Sequence, residues 1–221
     1  LRGLEDLEEL SDYCYFVAGV VGEMLTELFC AHCPELKPRR DDMMKLAVSF
    51  GQGLQMTNIL KDIWDDRLAD TCWLPRSAFS GSEFDLERLD LCHDSSVFRR
   101  GLDELIGIAH RHLRGALEYT LYVPGRETGI RKFCLWAIGL AVLTLRKLHA
   151  NPSFTSGREV KVSRRSVRMT ILATNLTLRS DQALRSLFSV VAAGLPLERP
   201  EPPPEIRPGL SPLERLDADR P

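Results

Sequence analysis

Between Gln55 and Asp66 the chain reads QMTNILKDIWDD, and Asn58, Asp62 and Asp66 recur at intervals of four, with Gln55 three before Asn58. At ~100° of rotation per residue these four side chains share roughly 80° of one helix face. Asn58, Asp62 and Asp66 then offer one amide and two carboxylates in a ladder, with Gln55 a turn below. Hard divalent cations such as Mg²⁺ take oxygen ligands of this kind and share their shell with substrate phosphates. Most Asp pairs on helices are solvated charge. Here the pair continues into Asn58 and Gln55 on an otherwise apolar helix, and two carboxylates at i,i+4 repel by a few tenths of a kcal/mol, which a cation would offset.

The same face, followed toward the N-terminus, carries Gly51, Val48 and Met44. A stripe that is apolar at one end and oxygen-rich at the other suits a ligand with a hydrocarbon body and an anionic head. Asp62 and Asp66 are the expected metal ligands, and Val48 and Gly51 the expected hydrocarbon wall. Lys61, Arg67 and Arg76 are the nearby cations. Asp65 points off the ladder, and Asp70 falls where the helix should end before Trp73-Leu74-Pro75.

A second segment, residues 11–25, reads SDYCYFVAGVVGEML. Tyr13, Val17, Val20 and Met24 share one helix face. Ala18 and Gly22 lie on the other side, where small residues let a second helix approach closely at a propensity cost of about 1 kcal/mol per Gly. Pattern alone leaves two readings of Tyr13: a core tyrosine bonded to a backbone group, or a phenol at the mouth of the apolar stripe.

Taken together, YCYFVAGVVGEML followed by GLQMTNILKDIWDD and then WLP closely resembles the squalene/phytoene synthase family of head-to-head prenyl transferases. The form Y-C-x-x-V-A-G-x-V-G is met by Tyr13, Cys14, Val17, Ala18, Gly19, Val21 and Gly22. The form Q-x-T-N-I-x-x-D-x-x-x-D is met by Gln55, Thr57, Asn58, Ile59, Asp62 and Asp66. The resemblance runs over residues 5–190. It implies an all-α fold, the class I isoprenoid synthase helical bundle around an apolar cavity, with two aspartate-rich motifs facing each other at its mouth. It implies Mg²⁺ at Asp62 and Asp66, Tyr13 as the catalytic residue beside the departing diphosphate, and Gln55, Asn58, Val17, Val48 and Gly51 as substrate contacts. Phe133, Trp136, Ala137 and Leu140 on a later helix, and the basic stretch at 160–168, match parts that the family places near the cavity. NADPH joins Mg²⁺ as a cofactor if the product is squalene.

Two departures qualify that expectation. Residues 1–12, LRGLEDLEELSD, hold no DxxxD, and the family's first aspartate-rich motif should precede Tyr13. The chain is therefore expected to be the C-terminal portion of a longer enzyme, incomplete at the N-terminus and inactive by itself. The family's G-R-x-[YF]-x-P stretch is also altered, with Thr71 in place of the Arg.

Composition is that of a globular chain, with 44% hydrophobic and 27% charged residues. A net charge of −2 argues against a nucleic-acid footprint. Six scattered cysteines read as reduced thiols of a cytoplasmic protein. Cys30, His32 and Cys33 have no second CxxC to complete a zinc site. The apolar run Phe133–Leu145 is too short to span a bilayer and reads as a core helix, although a lipid substrate favours peripheral membrane contact. Helices are expected over 4–32, 39–69, 83–91, 96–121, 127–150 and 159–191. Residues 1–192 form the synthase part, and 193–221 a Pro-rich disordered tail.

The activity expected is joining of two prenyl diphosphates, farnesyl to a squalene-type product or geranylgeranyl to phytoene. Alternatives are a terpene cyclase of the same fold, or a non-catalytic subunit that binds prenyl diphosphate.

Overall fold

The computed structural model describes residues 3–79, 86, 89 and 95–197. Its helices are α1 (Leu7–Cys14), α2 (Val20–His32), α3 (Arg40–Leu68), α4 (Ser96–Tyr122), α5 (Thr128–Ala150), α6 (Arg164–Thr177) and α7 (Asp181–Val191). Among the described residues there is no β-strand, only an isolated bridge between Leu4 and Pro75. The all-α expectation therefore holds. The helix expected over 83–91 lies almost wholly outside the described residues, as does the tail from residue 198.

Helix α3 is the central rod. It packs along α4, with α2 on one flank and α5 on another. Met43, Ala47 and Leu60 of α3 meet a core built from Phe98, Leu102, Leu105, Ile106 and Leu113 of α4. All eight are 0–1% exposed. Asp6 caps α1 by accepting from the amides of Glu8 and Glu9, as an N-cap carboxylate should. At the far end of α3 the chain turns through Asp70, whose φ of 55° is left-handed, and the Thr71 amide donates back to the Asp66 carbonyl at 2.9 Å. Asp70 is thus part of the helix stop.

The expected helix 4–32 is present but not regular. Between α1 and α2, residues Tyr15–Gly19 form a π-helical turn. An extra residue per turn there rotates α2 relative to α1, a feature often found at functional sites.

The helix expected over 159–191 is corrected to two. A loop runs from Asn151 to Ser163, then α6, then a break at Leu178–Ser180 before α7. Ser163 accepts from the Ser166 amide and Ser180 from the Ala183 amide, so two serine caps start two helices where apolar periodicity alone suggests one. The break is caught by Arg131, 2% exposed. Its guanidinium donates to the carbonyls of Val123 (2.7 Å) and Leu178 (3.0 Å) and pairs with Asp181 at 2.8 Å.

The apolar helix around Phe133–Leu145 is also longer than the run suggests. Thr128–Ala150 has 23 residues, and both it and Leu7–His32 are long and apolar enough to cross a membrane. Helix α5 nevertheless buries Cys134, Ile138, Val142, Leu145 and Leu148 in the bundle, the use expected of a core helix.

Candidate functional site

The two motif helices cross with almost no space between their backbones. A Cβ on Gly22 would lie 2.2 Å from the Ala47 carbonyl oxygen, and one on Gly51 would lie 2.4 Å from that of Ala18. Ala18 and Gly22 therefore do what their size predicts. Gly51, expected along the hydrocarbon wall, is buried in this crossing. Its lack of a side chain is used up by Ala18, so it positions the wall and does not line it. Val48, one turn away, is half-buried and reaches toward Gly19, whose Cβ would be 3.4 Å from Val48 Cγ1.

The crossing sets Tyr13 near the carboxylate end of α3. The Tyr13 ring stacks on Trp73. The Leu4 amide donates to the Leu74 carbonyl at 3.0 Å, and the Arg76 amide to the Leu4 carbonyl at 2.9 Å. This short pairing fixes the chain after α3 against the start of α1. Burial chiefly, then the charges of Cys14 and Asp66, push the Tyr13 phenol above its ordinary pKa. Asp66 is thus within electrostatic reach of Tyr13, and the Trp73 stack brings two motifs some fifty residues apart to the same end of α3.

Asp62 and Asp66 are half-buried, Gln55 is half-buried, and Asn58 and Asp65 are exposed. Burial raises the Asp66 pKa, and the charges of Asp62 and Asp65 raise it further, with Lys61 opposing. Lys61 Nζ sits 3.0 Å from Asp62 Oδ2. The other two cations are engaged elsewhere: Arg67 donates to the Leu86 carbonyl at 3.2 Å, and Arg76 to Glu5 at 3.3 Å. Three carboxylates with one adjacent ammonium form an oxygen-rich, electron-rich face that a hard cation would relieve. Among the described residues no group of three or more His, Cys, Asp or Glu side chains has metal-holding geometry. Asp62 and Asp66 would supply two oxygen ligands, and the remainder of a divalent shell would come from diphosphate and water.

The apolar stripe above the carboxylates is open. Val17 is 46% exposed and Met24 53%, with Val20 and Val21 close behind. On α5, Phe133 (54%) and Trp136 (37%) are also uncovered. On α2 the apolar residues Val20, Val21 and Met24 share one helix face, an arrangement that marks a binding surface more often than bare solvent exposure.

Sequence reasoning missed three contributors. Trp73, placed by the sequence after the helix stop and in the WLP of the family resemblance but given no role at the site, is the platform under Tyr13. Gln52, nearly buried, donates to Ser11 Oγ at 2.8 Å and ties α3 to α1. The loop after α5 reaches the ladder itself. Trp64 Nε1 donates to the Phe154 carbonyl at 2.6 Å, which lays Gly157 over α3. A Cβ on Gly157 would be 3.2 Å from the Lys61 carbonyl, 3.3 Å from Asp65 Oδ2 and 3.7 Å from Asp62 Oδ1. The gap between the helices expected over 127–150 and 159–191 marks a loop here, but not where it lands. Cys30 and Cys33 are buried thiols, and His32 faces Glu127 at 3.4 Å.

A protein-family model described as squalene/phytoene synthase matches residues 1–166. Squalene synthase ERG9 of Gibberella zeae is 28% identical over 167 residues, which cover 74% of this chain and 34% of that protein. The 15-cis-phytoene synthase of Pantoea ananas is 30% identical over 180 residues, covering 81% of this chain and 53% of the relative. A solved complex of TcSQS with a ligand superposes with a TM-score of 0.66 at 21% identity, covering 90% of this chain and 58% of that one. That likeness shows a shared helical isoprenoid synthase fold. The chain spans about a third to a half of the length of these curated relatives.

Proposed function

Because the chain belongs to the squalene/phytoene synthase family, we propose that it contributes one wall and one metal-binding face to a head-to-head prenyl diphosphate condensation. The observation that carries this reading is the convergence of Tyr13 on the Asp62/Asp66 end of α3, below an open apolar stripe. Asp62 and Asp66 would hold Mg²⁺, and Gln55 and Asn58 would line the approach to it. Val17 and Val48 contact the hydrocarbon. Bound Mg²⁺ would neutralise diphosphate charge and so ease departure of the leaving group. Lys61 adds a second positive charge beside Asp62. Tyr13, its phenol kept protonated by burial, presents an O–H beside the departing diphosphate and the cationic carbon that remains.

The reaction in this reading starts with loss of diphosphate from one prenyl chain. The double bond of the second chain attacks the allylic carbon, and the cation so formed loses a proton as its ring closes to a cyclopropylcarbinyl diphosphate. A second ionisation and rearrangement follows. Farnesyl diphosphate is the favoured substrate, with geranylgeranyl diphosphate as the phytoene-type alternative, and a squalene product would take a hydride from NADPH.

Two acids on one helix supply too few ligands to clamp a diphosphate from both sides. The 221-residue chain alone is therefore expected to bind Mg²⁺ and a non-hydrolysable farnesyl diphosphate analogue without turning substrate over. That leaves room for a second reading, a non-catalytic subunit binding prenyl diphosphate. Titration calorimetry with the analogue, with and without Mg²⁺, tests the site. Binding that ignores Mg²⁺, or survives Asp62→Asn and Asp66→Asn together, removes the assignment. Measurable turnover by this chain would overturn the expectation that it binds without reacting.

A further inference from the structure

A cavity of about 370 Å³ lies between α4, α5, α6 and α7, walled by aliphatic side chains that include Leu117, Ile138, Val142 and Leu187. It is not the stripe described above. On α5 its lining residues Leu135, Ile138, Gly139 and Val142 centre on the face opposite Phe133, Ala137 and Leu140, with Leu143 at the edge beside Trp136, at ~100° per residue. The volume is near the lower end of the ~300–1,000 Å³ range of ligand pockets, enough for one chain and not for two.

The polar side chains of the wall are two threonines and, on the first turn of α6, Ser166 and Arg165. Among the described residues no carboxylate lines it. Arg165 is exposed and makes no ion pair or hydrogen bond with any described residue. It also stands, with Arg164, in the first turn of α6, where no acidic residue is present. Cations beside the positive end of a helix are unfavourable, and an anion placed there offsets both charges. The site thus couples an apolar interior to a positive mouth that pairs with no acid among the described residues.

We propose that this cavity binds a single-chain amphiphile with a carboxylate head, its acyl chain between α5, α6 and α7 and its head on Arg165 and Ser166. Met169, 56% exposed and part of the lining, reports occupancy directly. The experiment is methyl NMR of the full chain labelled at methionine, titrated with dodecanoate below its micelle-forming range. The Met169 methyl should shift saturably while Met43, in the core across the bundle, stays in place. Arg165→Glu, a surface change that spares the fold, should weaken binding at least tenfold, and Ala173→Phe should abolish it by filling the space. Dodecanol should bind at least tenfold more weakly than dodecanoate. Asp62→Asn with Asp66→Asn should leave the titration unchanged, which separates this site from the metal face. The proposal falls if Met169 does not respond, if dodecanol matches dodecanoate, if Arg165→Glu keeps full affinity, or if the double Asn variant loses binding.

Discussion

Tyr13 lies face to face with Trp73, ring centroids 4.0 Å apart and planes 16° from parallel. One residue belongs to the first motif helix and the other to the chain leaving the second. The contact therefore ties the turn after Asp66 to the start of the π-helical segment. Stacked aromatic pairs are worth ~0.5–1.5 kcal/mol beyond area burial. Tyr13→Phe keeps the stack and removes only the hydroxyl. It should leave the melting temperature within about 2 °C while weakening analogue binding in the presence of Mg²⁺. Trp73→Ala should lower both, with a stability loss of about 2–3 kcal/mol for a half-buried ring. Equal effects of the two variants on stability and on binding would show that the hydroxyl has no role of its own.

The close crossing at Gly22 and Gly51 makes a second prediction. A methyl at either position would have to enter backbone atoms of the other helix, at 2.2 Å for Gly22 and 2.4 Å for Gly51. Backbone cannot rotate away as a side chain can, so overpacking should cost at least ~3 kcal/mol. Gly22→Ala and Gly51→Ala should each melt well below the parent chain in a thermal scan followed by circular dichroism. Gly129→Ala, where a Cβ meets nothing within 4 Å, is the matched control and should be neutral or slightly stabilising.

These glycines also mark how far the sequence carries. The period of α3, the ladder of Gln55, Asn58, Asp62 and Asp66, and the small residues at Ala18 and Gly22 follow from spacing alone, because each is a local property of one helix. The crossing partner of Gly51 is not local, so a residue on the right face was assigned to the wall when its surface was already taken by Ala18. The π turn at Tyr15–Gly19 adds a residue that helical periodicity does not record. The split of 159–191 was signalled by Ser163 and Ser180, but apolar spacing continues through both caps and hides them. Trp73 and Gly157 reach the site only through tertiary contacts, the Leu4–Leu74 pairing and the Trp64–Phe154 hydrogen bond, which no motif encodes.

Arg131 carries a third prediction. Its side chain is buried and bonds the Leu178 carbonyl and Asp181 at the α6–α7 break and the Val123 carbonyl at the end of α4. Arg131→Met keeps the apolar stem but leaves those carbonyls without a donor. Breaking a buried charge network by removing one partner costs ~3–5 kcal/mol. The loss should concentrate at α7, seen as faster amide exchange over Asp181–Val191 with α3 and α4 still protected. Uniform exchange across all helices would mean that Arg131 stabilises the whole bundle and not the break.

A fourth concerns pH. His112 Nδ1 and Ser49 Oγ are 2.8 Å apart between α4 and α3. Burial, with the nearby Arg111 charge, holds the His112 pKa down at about 4, from an ordinary 6.5. A depressed histidine favours the folded state only while neutral. Its contribution is complete above pH 6.5 and is lost as pH falls through 6.5 toward 4, because the unfolded chain binds the proton first. The shift corresponds to at most ~3 kcal/mol. Urea midpoints should therefore fall between pH 7 and pH 4.5. His112→Asn should flatten that slope even if it lowers stability at pH 7. A slope unchanged in the variant would assign the pH dependence to other groups.

Gly157 gives the last. It lies against the Lys61 carbonyl, Asp65 and Asp62 with contacts of 3.2, 3.3 and 3.7 Å for an added Cβ. Its loop is held at both ends, by Trp64 on Phe154 and by Glu159, which accepts from the Thr155 amide and hydroxyl. That double anchor limits how far the loop can retreat. Gly157→Ala should be tolerated with a shift of a few tenths of an ångström. Gly157→Leu should push the loop off the carboxylate face, costing about 1–3 kcal/mol of stability and altering Mg²⁺-dependent affinity for the analogue severalfold. Phe154→Ala removes the buried ring that packs edge-on against Trp64 and so loosens the same loop from its other end, and the two variants combined should lose less binding than the sum of their separate losses. Fully additive losses would mean that the loop and the ladder act independently, and that Gly157 lies beside the site without shaping it.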